Sequence, residues 1–139
     1  MQKIILDTNV IVSALISKTY PYQILFNHVF ERKILCCISD EIIEEYIEVL
    51  NRAKFEKFHK FKNNAEVVLN KLIEISTSYK PTEKILLISD LADNKFLELA
   101  KISKAAFIIT GNHRDFGFEL FENTKIISPK LYIEKYLLD

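Results

Sequence analysis

Five polar side chains in this sequence are spaced so that a folded chain could bring them to one place: Asp7, Glu45, Asp93, Asn112 and Asp115. Asp7 ends the apolar run of "IILDTN", with Thr8 and Asn9 directly behind it. A carboxylate at the end of a buried strand is expensive unless something there uses it. Asn112 and Asp115 follow the strand-like "AAFIIT" within five residues, Asp93 lies in the first turn of the helical stretch leading into that strand, and Glu45 lies about one turn into the helix after "ILCCIS". In open parallel sheets, ligands bind outside the carboxyl ends of the strands, so three or four of these side chains could meet at one rim. Acids converging there with no cation nearby repel one another. A hard divalent cation, Mg²⁺ or Mn²⁺, relieves that repulsion and prefers oxygen ligands. Such an ion can activate water and stabilise the charge that develops in a phosphodiester displacement. The acids would be its ligands, and one of them could also act as general base.

Each residue also has a plainer explanation. Asp93 could favour the positive end of its helix dipole, paired with Asp90 at the N-cap. Glu45 could be one solvated carboxylate among Glu41, Glu44 and Glu48. At about 100° per residue, however, it falls at the edge of the apolar arc of Ile42, Ile43, Tyr46, Ile47, Val49 and Leu50, while Glu41 and Glu48 point away from that arc. Asn112 and Asp115 could be turn residues of "TGNHRD". Asp7 is hardest to explain away, because a polar helix cap does not account for Asn9 and nothing basic lies nearby in sequence.

The elements that must position these residues alternate between short β-branched runs and helical patterns. Strands are expected at 3–6, 34–39, 105–110 and 124–128, with 84–88 readable as strand or loop. Helices are expected over 10–17, 22–32, 41–52 (capped by Ser39 or Asp40), 55–61, 63–75 and 89–103 (capped by Asp90). A last helix opens at Ser128-Pro129. This alternation implies a parallel sheet covered on both faces by right-handed crossovers. The expectation is one α/β/α domain spanning 1–139.

Composition narrows the function classes. With 139 residues, 49% hydrophobic and 27% charged, the chain is long enough for a core without staples. Its 19 basic and 19 acidic residues cancel, so no overall positive field advertises nucleic acid. Two glycines exclude Rossmann and Walker phosphate loops, and no G-x-S-x-G elbow is present. The two cysteines, Cys36 and Cys37, are adjacent and would point to opposite faces of a strand, as buried thiols in a reduced compartment. No basic leader and no apolar run near the roughly 20 residues needed to cross a bilayer is seen, so a cytoplasmic protein is expected.

"LDTNVIVSAL", "SDEIIEEYIEVL", "DLADNKFLELA" and "FIITGNHRDF" together resemble the four motifs of PIN domains, in the usual order over residues 4–116, with a closing strand and helix to 138. The likeness is greatest to single-domain bacterial and archaeal proteins related to VapC-type toxins. The resemblance implies a metal-dependent endoribonuclease on a three-layer α/β/α fold. In it Asp7, Glu45 and Asp93 are the acids that hold Mg²⁺ or Mn²⁺, with Thr8, Asn9 and Thr110 in support. Many members carry Asp where this chain has Asn112. The "TGNHRDF" stretch looks like a variant in which Asp115 supplies the acid; Asn112 brings an oxygen but no charge, so a one-metal site on Asp7, Glu45 and Asp93 stands beside a two-metal one. The resemblance further implies an RNA substrate, a homodimer, and a small antitoxin encoded alongside that docks near the site.

His113 and Arg114 beside the rim are candidates for phosphate contact. "RAKFEKFHKFK" interleaves Lys54, Lys57, Lys60 and Lys62 with Phe55, Phe58 and Phe61; packing of the Phe stripe is favoured over stacking on RNA bases. A phosphatase with an aspartyl nucleophile is disfavoured because Asn9 stands where D-x-D enzymes have their second acid. A catalytically weak PIN-like module that binds RNA or protein without cutting is the alternative, kept open by Asn112.

Overall fold

In the computed structural model, which describes residues 1–88, 93–112 and 116–137, the sheet is built outward from β1 (Lys3–Leu6). Ile4, Ile5 and Leu6 are fully buried, as a strand covered on both faces requires. Parallel neighbours flank β1 on either side: β2 (Leu35–Ile38), with Lys3 opposite Leu35, and β4 (Phe107–Ile109), with Leu6 opposite Ile109. Beyond them lie β3 (Thr77–Ser78), β6 (Thr124–Ile127) and β5 (Leu120–Phe121), giving the order β3-β2-β1-β4-β6-β5. β5 runs antiparallel to β6, so the sheet is mixed and not wholly parallel as the sequence suggests. Neither β3 nor β5 was expected. Each has two residues, too few to display an alternation.

Strand order turns at β1. From there the chain winds through β2 to β3 on one side, then crosses to β4, β6 and β5 on the other. The gap between the carboxyl ends of β1 and β4 is therefore a topological switch point, where crossovers diverge and leave a crevice.

The helices layer this sheet as α/β/α. α1 (Thr8–Ile16) leaves β1 directly, and a short α2 (Tyr20–Tyr22) runs into a π-helical stretch, Gln23–Val29. α3 (Asp40–Leu50) starts at Ser39, whose side chain accepts from the Ile42 N–H at 3.3 Å, resolving the choice between Ser39 and Asp40. A 3₁₀ turn over Ala53–Phe55 leads to α4 (Phe61–Ile75). Phe61 is buried, Phe55 stacks on it at 5.0 Å between centroids, and Phe58 packs on the same cluster, so the Phe stripe is core and not a base-stacking surface. α6 (Pro129–Tyr136) opens on a Ser128 cap as expected.

α5 runs over Asn94–Ser103 with Asp93 as its N-cap residue, and residues 89–92 of the expected helix lie outside the described residues. Asp90, the expected cap, lies outside the described residues. The stretch 84–88 is loop, tied down by two side chains of α5. The Ile85 N–H donates to Glu98 Oε2 at 3.0 Å, and the Ile88 N–H and C=O pair with the Asn94 amide at 2.9 and 3.0 Å. Those buried polar residues stand one helical turn apart and replace the strand pairing that the loop lacks. Among the described residues no helix is long and apolar enough to cross a membrane.

Cys36 and Cys37 are both buried and unpaired by disulfide. Burial pushes the Cys36 thiol up to about 12 from 9.0 and also raises Cys37. Burial likewise holds the Tyr46 phenol well above its ordinary range, with nearby Cys36, Asp7 and Glu45 adding to the effect. These groups ionise in the unfolded chain before they do so in the folded one. The native state then holds more protons, and stability falls as pH rises from about 9 towards 12. Thermal melts across that range should show a progressive drop in Tm, and at neutral pH both thiols should resist Ellman's reagent until the protein unfolds.

Candidate functional site

The switch-point crevice is lined by the ends of β1 and β4 and the starts of α1 and α5. Asp7 follows Leu6 and is the N-cap of α1, in extended conformation, only 8% exposed. Among the described residues, three donors face its carboxylate: the Thr8 N–H at 2.7 Å on Oδ1, and on Oδ2 the Thr110 hydroxyl at 2.7 Å and the Asn9 amide at 3.4 Å. The N-terminus of α1 adds its positive end. Asp7 is thus both a helix cap and an oriented carboxylate, the two roles that sequence alone set against each other. Its backbone N–H donates to Ile109 O at 2.9 Å, so β4 also fixes the main chain at this point.

Thr8, Asn9 and Thr110 all make hydrogen bonds around the Asp7 carboxylate. The Thr8 hydroxyl donates a short hydrogen bond to Glu45 Oε2, so one residue joins the Asp7 and Glu45 carboxylates, through its N–H and its hydroxyl. Asn9 Oδ1 accepts from the Gly111 N–H at 3.1 Å, and Thr110 Oγ1 accepts from the Asn112 N–H at 3.0 Å. These bonds pin the turn after β4 against the start of α1. Beneath them, the buried Tyr46 hydroxyl donates a short bond to Leu6 O, holding α3 on the last residue of β1.

Glu45 projects from α3 with its side chain 17% exposed, and its Oε1 accepts from Lys95 Nζ at 2.9 Å. Here the structure corrects the expectation that no cation lies near the acids. Lys95 sits in the first turn of α5, two residues after Asp93, and its contact with Glu45 brings the start of α5 beside α3. Its sequence signal is faint but physical: a cation in the first turn of a helix opposes the dipole, so something nearby must favour it.

Asp93 is half-buried at the head of α5, two residues before Lys95. Asn112 is exposed, with its backbone tied to Thr110. Asp115, His113 and Arg114 lie outside the described residues. Two clefts are lined by residues of this hydrogen-bond network, though Asp7 itself lines neither. One of about 440 Å³ contains Glu45 and Lys95 together with Glu41, Glu44, Glu48 and Arg52. The other, about 240 Å³, contains Asn9, Gly111 and Asn112.

Among the described residues no three His, Cys, Asp or Glu side chains are gathered tightly enough to cage an ion. Among the described residues the donors are nonetheless all oxygens, with carboxylates the main ones. That chemistry fits Mg²⁺ or Mn²⁺, and Mg²⁺ in particular is bound through one or two carboxylates with retained waters and substrate oxygens, not in an all-protein cage.

Residues 3–114 match the family described as PIN domain. An uncharacterized protein of Methanocaldococcus jannaschii is 33% identical over 143 residues, an alignment covering 96% of this chain and 91% of that protein. The structure of FitAB bound to an IR36 DNA fragment aligns with a TM-score of 0.58, covering 91% of this chain and 94% of its own, at 16% identity. That last similarity is one of fold.

Thr110 is fully buried and serves Asp7 Oδ2 and the Asn112 N–H together. Thr110→Val keeps the shape and removes both interactions. It should destabilise the metal-free protein by about 1–3 kcal/mol in denaturant unfolding, whereas Thr110→Ser should stay close to wild type.

Proposed function

The chain belongs to the PIN-domain family, and from that premise we propose that it is a metal-dependent endoribonuclease hydrolysing RNA phosphodiester bonds, the toxin of a toxin–antitoxin pair. Proteins of this family are generally nucleases that use divalent metal ions. The observation that carries the reading is the buried Asp7 carboxylate at the switch point, oriented by three donors and joined to Glu45 through Thr8. A carboxylate so held and so buried is arranged for a ligand more than for solubility.

In this reading Asp7, Glu45 and Asp93 would hold a Mg²⁺ or Mn²⁺ ion, to which Asn112 and Asp115 would add oxygens. When bound, the ion supplies a water of lowered pKa and neutralises the charge that develops on the phosphate oxygens. The chain's own residues do the rest. Thr8 keeps the Asp7 and Glu45 carboxylates in register, and Thr110 and Asn9 fix which Asp7 oxygen faces the crevice. One carboxylate of the set accepts the proton of the attacking water. His113 and Arg114 would contact substrate phosphates. FitAB was solved with a DNA fragment, and a nucleic-acid partner for this chain belongs to the same proposal. So do a homodimer, a cognate antitoxin, a single domain over 1–139 and a cytoplasmic location.

A second reading, a PIN-like module that binds RNA or a protein without cutting, is favoured by two observations: a lysine already pairs with Glu45, and Asn112 brings no charge.

Incubation of a panel of single-stranded and structured RNAs with the protein in Mn²⁺, Mg²⁺ or EDTA separates the two. Cleavage should require the metal and fall ~100-fold or more in Asp7→Asn and in Asp93→Asn, since even residues that merely orient metal ligands are worth about 10–100-fold. Cleavage that survives both substitutions, or proceeds in EDTA, would refute the proposal. RNA binding without cleavage would establish the second reading.

A further inference from the structure

Four ion pairs join described residues of this protein, and three of them are surface contacts. Arg52–Glu48, Lys84–Glu41 and Lys101–Glu83 have side chains 40% or more exposed. Lys95–Glu45 differs, with side chains 21% and 17% exposed, and it links α5 to α3 across 50 residues of sequence. It is also the pair that touches the candidate site, because the other oxygen of Glu45 accepts the Thr8 hydroxyl and the Thr8 N–H donates to Asp7.

Lys95 stands where its own helix disfavours it, in the first turn of α5. What holds it there is the carboxylate of Glu45. In the pair's absence, the Glu45 and Asp7 charges, bridged by Thr8, would face each other in a poorly hydrated crevice. We infer that Lys95 is a built-in counter-ion of the acidic rim: its ammonium holds Glu45 in place while no metal ion is bound, and a divalent cation must compete with it for that carboxylate. The inference rests on the metal-dependent function proposed above. Lys95 is a positioning residue in this role, acting on the site through Glu45.

The geometry gives the displaced ammonium somewhere to go. Lysine is a point charge on a flexible four-carbon stem. The cleft that Lys95 shares with Glu45 is also lined by Glu41, Glu44 and Glu48. Glu48 already pairs with Arg52 and Glu41 with Lys84, so the carboxylate open to an ammonium leaving Glu45 Oε1 is that of Glu44, which no ion pair among the described residues engages. Two like charges at one carboxylate repel strongly in a site of reduced polarity, and exchange relieves that repulsion. The lysine thereby sets the metal affinity below what the acids alone would give, while keeping the metal-free rim folded.

Lys95→Met removes the charge and keeps most of the stem; Lys95→Arg keeps the charge. Mn²⁺ binding measured by calorimetry should be about tenfold tighter in Lys95→Met than in wild type and within about twofold of wild type in Lys95→Arg. In EDTA the Met variant should melt below wild type, and saturating Mn²⁺ should remove the difference, which the loss of an ordinary packing contact would not do. If Lys95→Met folds only with Mn²⁺ present, the metal has taken over the lysine's place and the inference stands; failure to fold even with Mn²⁺ overturns it. Mn²⁺ binding in the Met variant equal to or weaker than wild type would overturn the counter-ion role and leave the metal site intact. Wild-type protein that binds no Mn²⁺ would remove the metal-dependent reading itself, and the counter-ion role with it.

Discussion

Taking a carboxylate out of water costs several kcal/mol unless polar groups replace the lost hydration, and at Asp7 three separate parts of the chain supply them. β1 delivers the residue, α1 begins on it and offers Thr8 and Asn9, and β4 offers Thr110 from across the sheet. None of these donors is useful unless the strands pair in the observed register, with Leu6 opposite Ile109. The burial of this one acid therefore couples strand register, helix entry and the turn after β4. Loss of any part leaves a charge stranded in the interior.

The sheet order explains why this happens at Asp7 and not at another strand end. β2 also ends on polar residues, but Ser39 is spent on capping α3. At β1 the crossovers diverge to the two sides, so the region beyond its carboxyl end is not filled by a connecting loop. Tyr46 reinforces the arrangement from below. Its hydroxyl on Leu6 O sets the height of α3 against the sheet, and that height brings Glu45, the residue before it, to Thr8.

The electrostatics of the rim are less one-sided than acids alone would make them. A lysine on α5 faces a glutamate on α3, and a helix N-terminus faces Asp7. The rim is thus partly neutralised by the protein itself. Elsewhere lysines lie over aromatic faces or pair with acids at the surface, where solvent screening leaves them little energetic weight.

Much of the fold was legible in the sequence because it rests on local signals. β-branched runs marked β1, β2, β4 and β6, and a Ser-Pro pair marked the start of α6. A carboxylate ending an apolar run singled out Asp7 before any contact was known, and the four motifs placed the family. What sequence left open depends on groups that meet only in three dimensions. β3 and β5 exist because a neighbour supplies their hydrogen bonds, and α5 starts where Asn94 and Glu98 anchor the preceding loop. Thr110 reaches Asp7 across 103 residues and Lys95 reaches Glu45 across 50, separations over which no local pattern carries information. The sequence determined which residues could do chemistry, since residue type and strand-end position are local properties. Only the tertiary structure decided which donors orient them and which cation they face, because those depend on strand order and on the height at which each helix rests on the sheet.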